Sequence, residues 1–387
     1  MTNHSKFLAS TPPMGWNSWN MFGPRVSADA VCGMADAMVS TGLKDCGYEY
    51  IVVDDCWSVK DHRDPHGDLI PDPERFADGV KPVADYVHSL GLKFGIYSDA
   101  AEMTCANFPG SFGFEDQDAA LWASWGVDFL KYDYCHAPGD QATAIERYTR
   151  MGQALRNSGR EILFSICEWG GRKPHLWARQ AGGQMWRATG DVVDSWVSVL
   201  HGDWWGLGLD PAIDLAVNTY EYAGPGGWND MDMLIVGLGG KGSIPGSGCS
   251  FHEYQTQVSM WSMLCSPLMI GCDLRTMTSE TASLLTNREV LAVNQDALGE
   301  QARRIKKEGS LEIWKKRLAD GGLALALLNR GSTGQEIDFT AGEVSLLDEP
   351  TGVIRDLWKQ QDIADFDRTY QHTVQPHATV LLKISAG

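Results

Sequence analysis

The feature that most constrains this chain is a short, largely apolar run that ends in an aspartate. Residues 127–130 lead directly into 131–135, which read Lys-Tyr-Asp-Tyr-Cys and contain Asp133. A run of this kind is typical of a strand covered on both faces, as in a parallel sheet. Three further runs end in acids, at Asp54-Asp55, Asp99 and Glu168. Because several strands bring carboxylates to one edge, the pattern predicts an enzyme with its site there.

Helix and strand signals alternate from about residue 12 to 300, and a glycine closes each putative helix before the next apolar run. The candidate strands lie at 15–19, 50–55, 93–99, 128–133, 162–168, 185–187, 227–232 and 268–272. Eight β/α units in roughly 290 residues predict a (β/α)₈ TIM barrel. An open, doubly wound sheet is the alternative, but no convincing glycine-rich phosphate loop follows the first strand.

The hydrophobic pattern of the sequence changes after about residue 300. Short alternating runs, such as 311–314, 323–328 and 379–382, are separated by turns that contain Gly, Asp and Pro. They predict a smaller antiparallel β domain of sandwich type. We therefore divide the chain into a catalytic barrel at 1–300 and a C-terminal β domain at 301–387, which is expected to pack against the barrel and stabilise it.

Charge and composition restrict the partners and the location. The 387 residues include 32 Lys+Arg and 50 Asp+Glu, a net charge of −18 that argues against nucleic acid or an anionic membrane. No run reaches the roughly 18 apolar residues of a membrane span. Residues 1–6 lack the order of a secretory signal, so we expect a cytoplasmic protein, or a secreted one if a signal was removed. The sequence leaves open whether the chain forms a homo-oligomer.

The nine cysteines include no metal-type CxxC pair, so neither a zinc site nor any other metal or cofactor is expected. Most of them are interpreted as small buried apolar residues in a reducing compartment.

Two acids suit the chemistry of a retaining glycosidase, which needs two carboxyl groups about 5–5.5 Å apart. Asp133, at a strand tip, suits the nucleophile, and Lys131 on the same strand face would keep it ionised. The alternative for these two residues is a structural ion pair. Asp191, four residues after Arg187, is the preferred general acid/base. Asp194 is the local competitor, and a helix N-cap is the other interpretation of Asp191.

Other polar and aromatic residues at the strand ends suit a sugar. Asp54 and Asp55 can both reach a pocket from a strand tip and accept hydrogen bonds from vicinal hydroxyl groups; a Mg²⁺ site is the rival interpretation. Six of the fifteen tryptophans fall at or beside predicted strand ends: Trp16, Trp19, Trp57, Trp169, Trp186 and Trp228. Their faces could stack on sugars or fill the core.

At these residues the sequence resembles the glycoside hydrolase family 27 α-galactosidases of clan D, over almost its whole length. The matching segments are PMGWNSW (13–19), VDDCW (53–57), TCANFPGS (104–111), CEWG (167–170), PGGWND (225–230) and AVNQD (292–296). The resemblance implies a (β/α)₈ barrel with a C-terminal antiparallel β domain, and a double displacement with retention of configuration.

The resemblance also implies roles for individual residues. The family's nucleophile falls on Asp133 and its acid/base on Asp191, and the aspartates that hold the sugar's O4 and O6 fall on Asp54 and Asp55. Further pocket positions fall on Trp16, Tyr97, Lys131, Glu168, Trp169, Arg187 and Asp232. Cys105 and Cys135 match a pair that forms a disulfide beside the pocket in secreted relatives.

The sequence departs from the family pattern at two places. Pro24 stands where secreted relatives often carry a cysteine, so Cys56 is expected to lack its usual partner. Met231 replaces a proline between two aspartates, which makes the role of Asp232 less secure.

The substrate expected within the family is terminal α-D-galactose. Asp54 favours a sugar with a 6-hydroxyl group, because a buried unpaired carboxylate costs about 1–3 kcal/mol or more. Glu168 favours a free 2-hydroxyl over an N-acetyl group. An α-N-acetylgalactosaminidase or a β-L-arabinopyranosidase is the alternative within the family, and a non-catalytic sugar-binding barrel is the alternative from another class. The sequence does not separate hydrolysis from transglycosylation.

Overall fold

The computed structural model describes residues 8–199, 205–344 and 351–386. Its N-terminal part contains ten strands: β1 Met14–Asn17, β2 Tyr50–Val52, β3 Lys93–Asp99, β4 Phe129–Asp133, β5 Leu163–Ile166, β6 Met185–Arg187, β7 Asp191–Val192, β8 Trp205–Leu207, β9 Trp228–Asp230 and β10 Leu268–Ile270. Eight of them form one sheet in the order β10-β1-β2-β3-β4-β5-β6-β9, in which each pair is parallel. All eight predicted strands are confirmed.

The sheet closes into a barrel where the chain leaves β9. The Leu234 amide donates to the Met269 carbonyl at 2.8 Å, and the Gly271 amide donates to the Leu234 carbonyl at 3.0 Å. These bonds join the two ends of the strand order, so the predicted (β/α)₈ barrel is confirmed. Strands β7 and β8 lie outside the barrel and pair with each other.

Within the described residues, ten helices accompany the strands. They are α1 Trp19–Phe22, α2 Ala28–Ser40, α3 Lys81–Ser89, α4 Glu115–Trp125, α5 Gln141–Asn157, α6 Ala178–Ala181, α7 Leu209–Leu215, α8 Phe251–Met263, α9 Ser279–Leu285 and α10 Arg288–Asn294. Gly126 ends α4 in the left-handed conformation, as glycine after a helix is expected to do. Ser250 and Glu253 form a capping box at the start of α8.

Alternation along the strands divides the barrel core into two layers. One cluster of buried side chains comes almost entirely from the strands and fills the barrel: Tyr50, Val52, Phe129, Leu163, Met185, Trp228 and Met269. The alternate residues, such as Ile51 and Leu130, pack with the helices. A Cβ atom at Gly15 would lie 2.4 Å from the Tyr50 carbonyl oxygen, so glycine is required where β1 meets β2.

The C-terminal part is an antiparallel β domain, as predicted. Its strands are β11 Arg303–Glu308, β12 Leu311–Arg317, β13 Leu323–Asn329, β14 Gln335–Thr340, β15 Thr351–Asp356, β16 Gln361–Asp367, β17 Thr369–Val374 and β18 Thr379–Ala386. The sheet order is β11-β12-β13-β18-β15-β16-β17-β14. Ile313 of β12 and Phe339 of β14 share one core although they lie near opposite ends of this order, so the sheet folds back on itself. The expected boundary after residue 300 falls between α10 and β11.

A buried lysine joins the two parts. Lys316 of β12 is fully buried, donates to the Ser262 carbonyl at 3.4 Å and to the Val293 carbonyl, and lies 3.0 Å from the Cys265 sulfur. Ser262 and Val293 lie in the last turns of α8 and α10, where unpaired carbonyls attract a cation. None of the helices in the described residues combines the length and apolar character needed to cross a membrane.

Replacing this lysine should weaken the contact between barrel and β domain. We expect Lys316→Met to lower the free energy of unfolding by about 2–3 kcal/mol, because buried carbonyls lose a charged donor. The measurement is the midpoint of urea unfolding. Lys81→Met is the control, since Lys81 forms an exposed ion pair with Asp85 and its loss should change stability by less than about 1 kcal/mol. Equal midpoints for both variants would contradict the assignment.

Candidate active site

A cavity of about 750 Å³ opens at the carboxyl ends of the barrel strands. It is lined by all of the predicted site residues except Trp16: Asp54, Asp55, Tyr97, Cys105, Lys131, Asp133, Cys135, Glu168, Trp169, Arg187, Asp191 and Asp232. The carboxyl ends of parallel strands meet at one rim of a barrel, which is why residues so far apart in sequence converge. The position of the cavity was therefore predictable from the strand pattern.

The prediction for Trp16 is wrong. Its side chain is fully buried, packs edge-on against Phe22 and donates from Nε1 to the Cys272 carbonyl at 2.9 Å. Trp16 belongs to the layer between strands and helices. The neighbouring Asn17 instead reaches Asp54, and it is Trp19, at the start of α1, that lines the cavity.

Asp133, at the tip of β4, has two hydrogen-bond donors. The Tyr97 hydroxyl donates to Oδ2 at 3.1 Å, and the Tyr134 amide donates to Oδ1 at 3.1 Å. Burial raises the pKa of Asp133 to about 7; the charge of Lys131 acts to lower it, and the charge of Asp191 acts to raise it. A pKa in this range allows the carboxyl to change its protonation state near neutral pH.

The alternative interpretation of Lys131 and Asp133, a structural ion pair between the two, is contradicted by the structure. The Lys131 ammonium lies 2.8 Å from Asp54 Oδ2, and these two form the ion pair. The charge of Lys131 still favours the ionised form of Asp133, as expected, but desolvation outweighs it.

Asp191 begins the short strand β7, so it is not the N-cap of a helix. Its Oδ1 accepts from Arg187 Nη2 at 3.0 Å, and Nη1 of the same guanidinium lies 3.1 Å from Asp232. Burial raises the pKa of Asp191 above its usual range, Arg187 acts to lower it, and Asp232 acts to raise it. One arginine thus holds two acids of the cavity.

The competing acid, Asp194, does not line the cavity. Its carboxylate accepts from the Tyr254 hydroxyl at 2.8 Å and from the amides of Gly240 and Cys249 at 2.8 and 3.0 Å. These bonds anchor the loop of residues 237–249, which is rich in glycine. Residues 243–245 of the same loop line the cavity, so Asp194 helps to hold part of the cavity wall in place.

The adjacent aspartates after β2 are held by different donors. Asp54 Oδ2 accepts from Asn17 Nδ2 and Lys131 Nζ, both at 2.8 Å, whereas Asp55 Oδ2 accepts from the Ala106 amide at 3.0 Å. Burial raises the pKa of Asp55 to about 6, and the Ala106 amide acts to lower it. The lysine already supplies a cation to Asp54, which argues against the rival magnesium site.

Asp99, Asp133, Cys105 and Cys135 form the one grouping of metal-ligand type in the part of the chain that the structure describes, with ligand atoms within 4.8 Å of one another. The two sulfurs are joined in a disulfide between Cα atoms 5.0 Å apart, so they are not thiolate ligands. This grouping carries no metal proposal.

The disulfide is the one that the family resemblance implied. Cys56 is buried and free, as expected from the departure at Pro24. The cytoplasmic location stays a prediction.

Glu168, after β5, has one bonded and one unbonded oxygen. Its Oε2 accepts from the Arg172 amide at 2.8 Å and from the Arg172 guanidinium at 3.4 Å. Its Oε1 is buried and has no hydrogen-bond partner among the described residues. Burial raises the pKa of Glu168 to about 7, and Arg172 acts to lower it. A buried carboxylate oxygen without a partner is unusual and points to a functional role.

Asp232 keeps its place despite the exchange of proline for Met231. The Met231 amide donates to Ser266 Oγ at 3.0 Å, a bond that a proline could not make. Asp232 Oδ2 accepts from the Val192 amide at 2.7 Å, beside its ion pair with Arg187. The floor of the cavity is therefore built without the proline.

Several cavity residues were not predicted as site residues, namely Asn20, His136, Gly171, Arg172, Met233 and Ser243. Most of them lie in loops after strands, where a single sequence gives no sign of orientation. Arg172 could have been suspected, since it lies four residues after the acid that it binds.

The cavity combines features that define a class of enzyme. Two carboxylates that influence each other's protonation, Asp133 and Asp191, share it with a pair of adjacent aspartates at the carboxyl rim of a (β/α)₈ barrel. This arrangement is typical of a glycoside hydrolase.

Comparisons with known proteins make the class specific. Residues 11–296 match the family model described as Alpha galactosidase A, and residues 308–384 match Alpha galactosidase C-terminal beta sandwich domain. An α-galactosidase of Cyamopsis tetragonoloba is 45% identical over 353 residues, which cover 91% of this chain and 80% of that protein. The chain therefore belongs to the α-galactosidase A family, glycoside hydrolase family 27.

Solved structures agree over almost the whole chain. α-Galactosidase I of Mortierella vinacea has a TM-score of 0.92 at 36% identity, with 100% of this chain and 99% of that chain covered. A family 27 β-L-arabinopyranosidase of Geobacillus stearothermophilus has a TM-score of 0.84 at 28% identity, with 98% and 97% covered. The fold is therefore shared by enzymes that differ in the sugar they are named for.

The raised pKa of Asp133 predicts a pH-dependent effect on stability. Its folded-state pKa is about 7, above the usual 3.8, so the free energy of unfolding falls as pH rises from about 4 to 7, and the full destabilisation is present above 7. We expect Asp133→Asn to raise Tm relative to the native protein by a few degrees at pH 8.5 and by less at pH 5.

The measurement is thermal unfolding at both pH values, where 1 kcal/mol corresponds to about 2–4 °C in a chain of this size. Asp365→Asn removes an exposed acid in β16 and should give the same Tm difference at both values. A destabilised Asp133→Asn protein at pH 8.5 would contradict the account.

Proposed function

We propose that this chain releases terminal α-D-galactose from α-galactosides by a double displacement with retention. The observation that carries the proposal is the placement of Asp133 and Asp191 in one cavity, each with its own polar partners and each within reach of the other's charge. The α-galactosidase names of the relatives support galactose as the sugar.

In the first step, a carboxylate oxygen of Asp133 attacks the anomeric carbon as the bond to the leaving oxygen breaks. Asp191 gives its proton to that oxygen. The Tyr97 hydroxyl and the Tyr134 amide fix the orientation of the Asp133 carboxylate. In the second step, Asp191 takes a proton from water, the water oxygen attacks the anomeric carbon, and Asp133 leaves.

The charges suit this exchange of roles. When Asp191 carries the proton, it no longer acts to raise the pKa of Asp133, and the charge of Lys131 then favours the ionised nucleophile. When galactose is bound to Asp133, that carboxyl carries no charge, and Asp191 is free to ionise and act as a base. The ionisation of one acid therefore opposes the ionisation of the other, which suits the two steps of the reaction.

The other acids suit the hydroxyl groups of galactose. Asp54 and Asp55 are proposed to accept hydrogen bonds from the 4- and 6-hydroxyl groups. The unpaired Oε1 of Glu168 is proposed to accept from the 2-hydroxyl. Trp19 replaces Trp16 as the proposed aromatic contact, since it lines the cavity.

Azide can replace either missing carboxylate and reports which role was lost. With Asp133→Gly, azide should attack from the side that the nucleophile occupied and give β-D-galactosyl azide. With Asp191→Gly and an activated aryl galactoside, azide should attack the galactosyl-enzyme and give α-D-galactosyl azide. Without azide, each variant should lose about 10²-fold or more of kcat on a substrate with a poor leaving group.

The control for this pair is Asp194→Asn, which removes the charge of the neighbouring acid. Proton NMR of the products should show no azide adduct with that variant. Formation of α-D-galactosyl azide by the Asp194 variant, or of the same anomer by both glycine variants, would contradict the assignment of roles.

The sugar is tested with three p-nitrophenyl glycosides: α-D-galactopyranoside, α-N-acetylgalactosaminide and β-L-arabinopyranoside. We expect a clear preference in kcat/KM for the galactoside. Asp54→Asn should reduce that value by about 10-fold or more. It should affect the arabinopyranoside less, since this sugar lacks the 6-hydroxyl. A preference for either other sugar would leave the mechanism intact and overturn the specificity argument.

The same turnover measurements test the alternative function, a non-catalytic sugar-binding barrel. It predicts no turnover of any of the three glycosides. The presence of Asp133 and Asp191 in one cavity speaks against it.

A further inference from the structure

The strand that begins at Asp191 continues into a segment that contacts both the barrel and the C-terminal domain. Asp191 pairs with Trp205 and Val192 with Leu207, through the short sheet of β7 and β8. The Val193 amide donates to the Leu207 carbonyl at 2.9 Å. This two-stranded sheet is separate from the barrel sheet, and barrel side chains hold it at Asp191 and Val192.

Trp196, five residues after Asp191, stacks on a histidine of the C-terminal domain. The ring of Trp196 and the ring of His377 are nearly parallel, with centroids 4.5 Å apart and planes at 10°. Trp196 is buried. His377 occupies the turn between β17 and β18 in the left-handed conformation, with φ of 53°. Neither residue lines the cavity, so their contact acts on the chain rather than on the substrate.

Helix α8 fixes the histidine from two sides. His377 Nδ1 lies 2.7 Å from Glu253 Oε1, and the His377 carbonyl accepts from Thr256 Oγ1 at 2.8 Å. Glu253 also belongs to the capping box that starts the helix. The imidazole is therefore a rigid surface for Trp196 rather than a freely moving side chain.

The backbone of the same segment is attached to the C-terminal domain by a second route. The Asp210 amide donates to the Trp196 carbonyl at 3.0 Å. Arg330, just after β13, donates to the Asp210 carbonyl at 2.6 Å and to its carboxylate at 2.8 Å. The segment that follows Asp191 is thus held at one residue both through its side chain and through its backbone.

We propose that His377 is a positioning residue for the general acid/base, so that the C-terminal domain takes part in placing Asp191 as well as in stabilising the barrel. The inference rests on the proposed role of Asp191. Proton transfer requires close alignment of donor and leaving oxygen, and a displacement of about 1 Å can cost 10²-fold in rate. Attack by Asp133 on β4 does not depend on this segment. Loss of the stacking contact should therefore impair protonation of the leaving group selectively.

The experiment compares a substrate with a poor leaving group, methyl α-D-galactopyranoside, with one whose leaving group needs no proton, 2,4-dinitrophenyl α-D-galactopyranoside. For His377→Ala we expect kcat/KM to fall about 10- to 100-fold on the first and less than about 2-fold on the second. Asp191→Ala, measured alongside, should show the same pattern with a larger ratio.

The matched control is His372→Ala. His372 lies on β17 in the same domain, and its Nδ1 lies 2.9 Å from the Tyr370 hydroxyl. It should leave both values unchanged. His377→Phe keeps a flat ring for Trp196 but lacks the bond to Glu253, so it should recover most of the rate on the methyl galactoside. This variant also tests the proposal if the alanine protein does not fold.

The outcomes separate this inference from the function on which it rests. Equal losses on both substrates for His377→Ala and His377→Phe, together with a lower Tm, would reduce the histidine to a structural role and overturn the proposal. Unchanged rates would overturn it as well. If Asp191→Ala itself shows no dependence on the leaving group, the assignment of the acid/base fails first, and the positioning role fails with it.

Discussion

Two cations, Lys131 and Arg187, make it possible for the barrel rim to hold so many acids. Lys131 pairs with Asp54 at 2.8 Å, and Arg187 reaches Asp191 at 3.0 Å and Asp232 at 3.1 Å. Without these pairs, several carboxylates in one desolvated cavity would repel each other and remain protonated. Each cation is delivered by a strand, Lys131 by β4 and Arg187 by β6, so the compensation is built into the barrel.

The two cations do not fully offset the desolvation of these carboxyl groups, and the raised pKa values that result suit the reaction. Burial raises the pKa of Asp133 to about 7 and that of Glu168 to about 7, despite the nearby cations. A carboxyl that exchanges its proton near neutral pH is well matched to a reaction in which protons move twice. The same feature weakens the folded state at high pH, which is a common consequence of assembling a reactive site.

The sequence predicted the barrel and most of the cavity because both follow from local pattern. An apolar run marks a strand, and an acid at its end marks the rim, as at Asp133. The predictions that were wrong concerned the orientation of a side chain or a partner that is distant in sequence. Trp16 and Trp19 lie three residues apart, and only the alternation of β1 and the start of α1 decide which one reaches the cavity. The partner of Lys131 lies 77 residues away, so no spacing along one strand could reveal it.

Arg172 was missed for a related reason. It lies within a turn in which Trp169 and Lys173 adopt positive φ, of 61° and 54°, and a single sequence gives no warning of such a turn among ordinary residues. The pairing of Cys105 with Cys135 was also beyond local pattern, and it came from the family resemblance alone.

The division of the chain into a catalytic part and a supporting part follows the change in sequence pattern after about residue 300. Contacts between the two parts nevertheless reach the active-site segments. Lys316 caps two barrel helices, and His377 lies flat against Trp196, in the segment that continues from Asp191. Contacts of this kind are invisible in composition, since a turn histidine in a β domain looks like any other. An active site at the rim of a barrel depends on its loops, and a loop that packs on a second domain makes that domain part of the site's geometry.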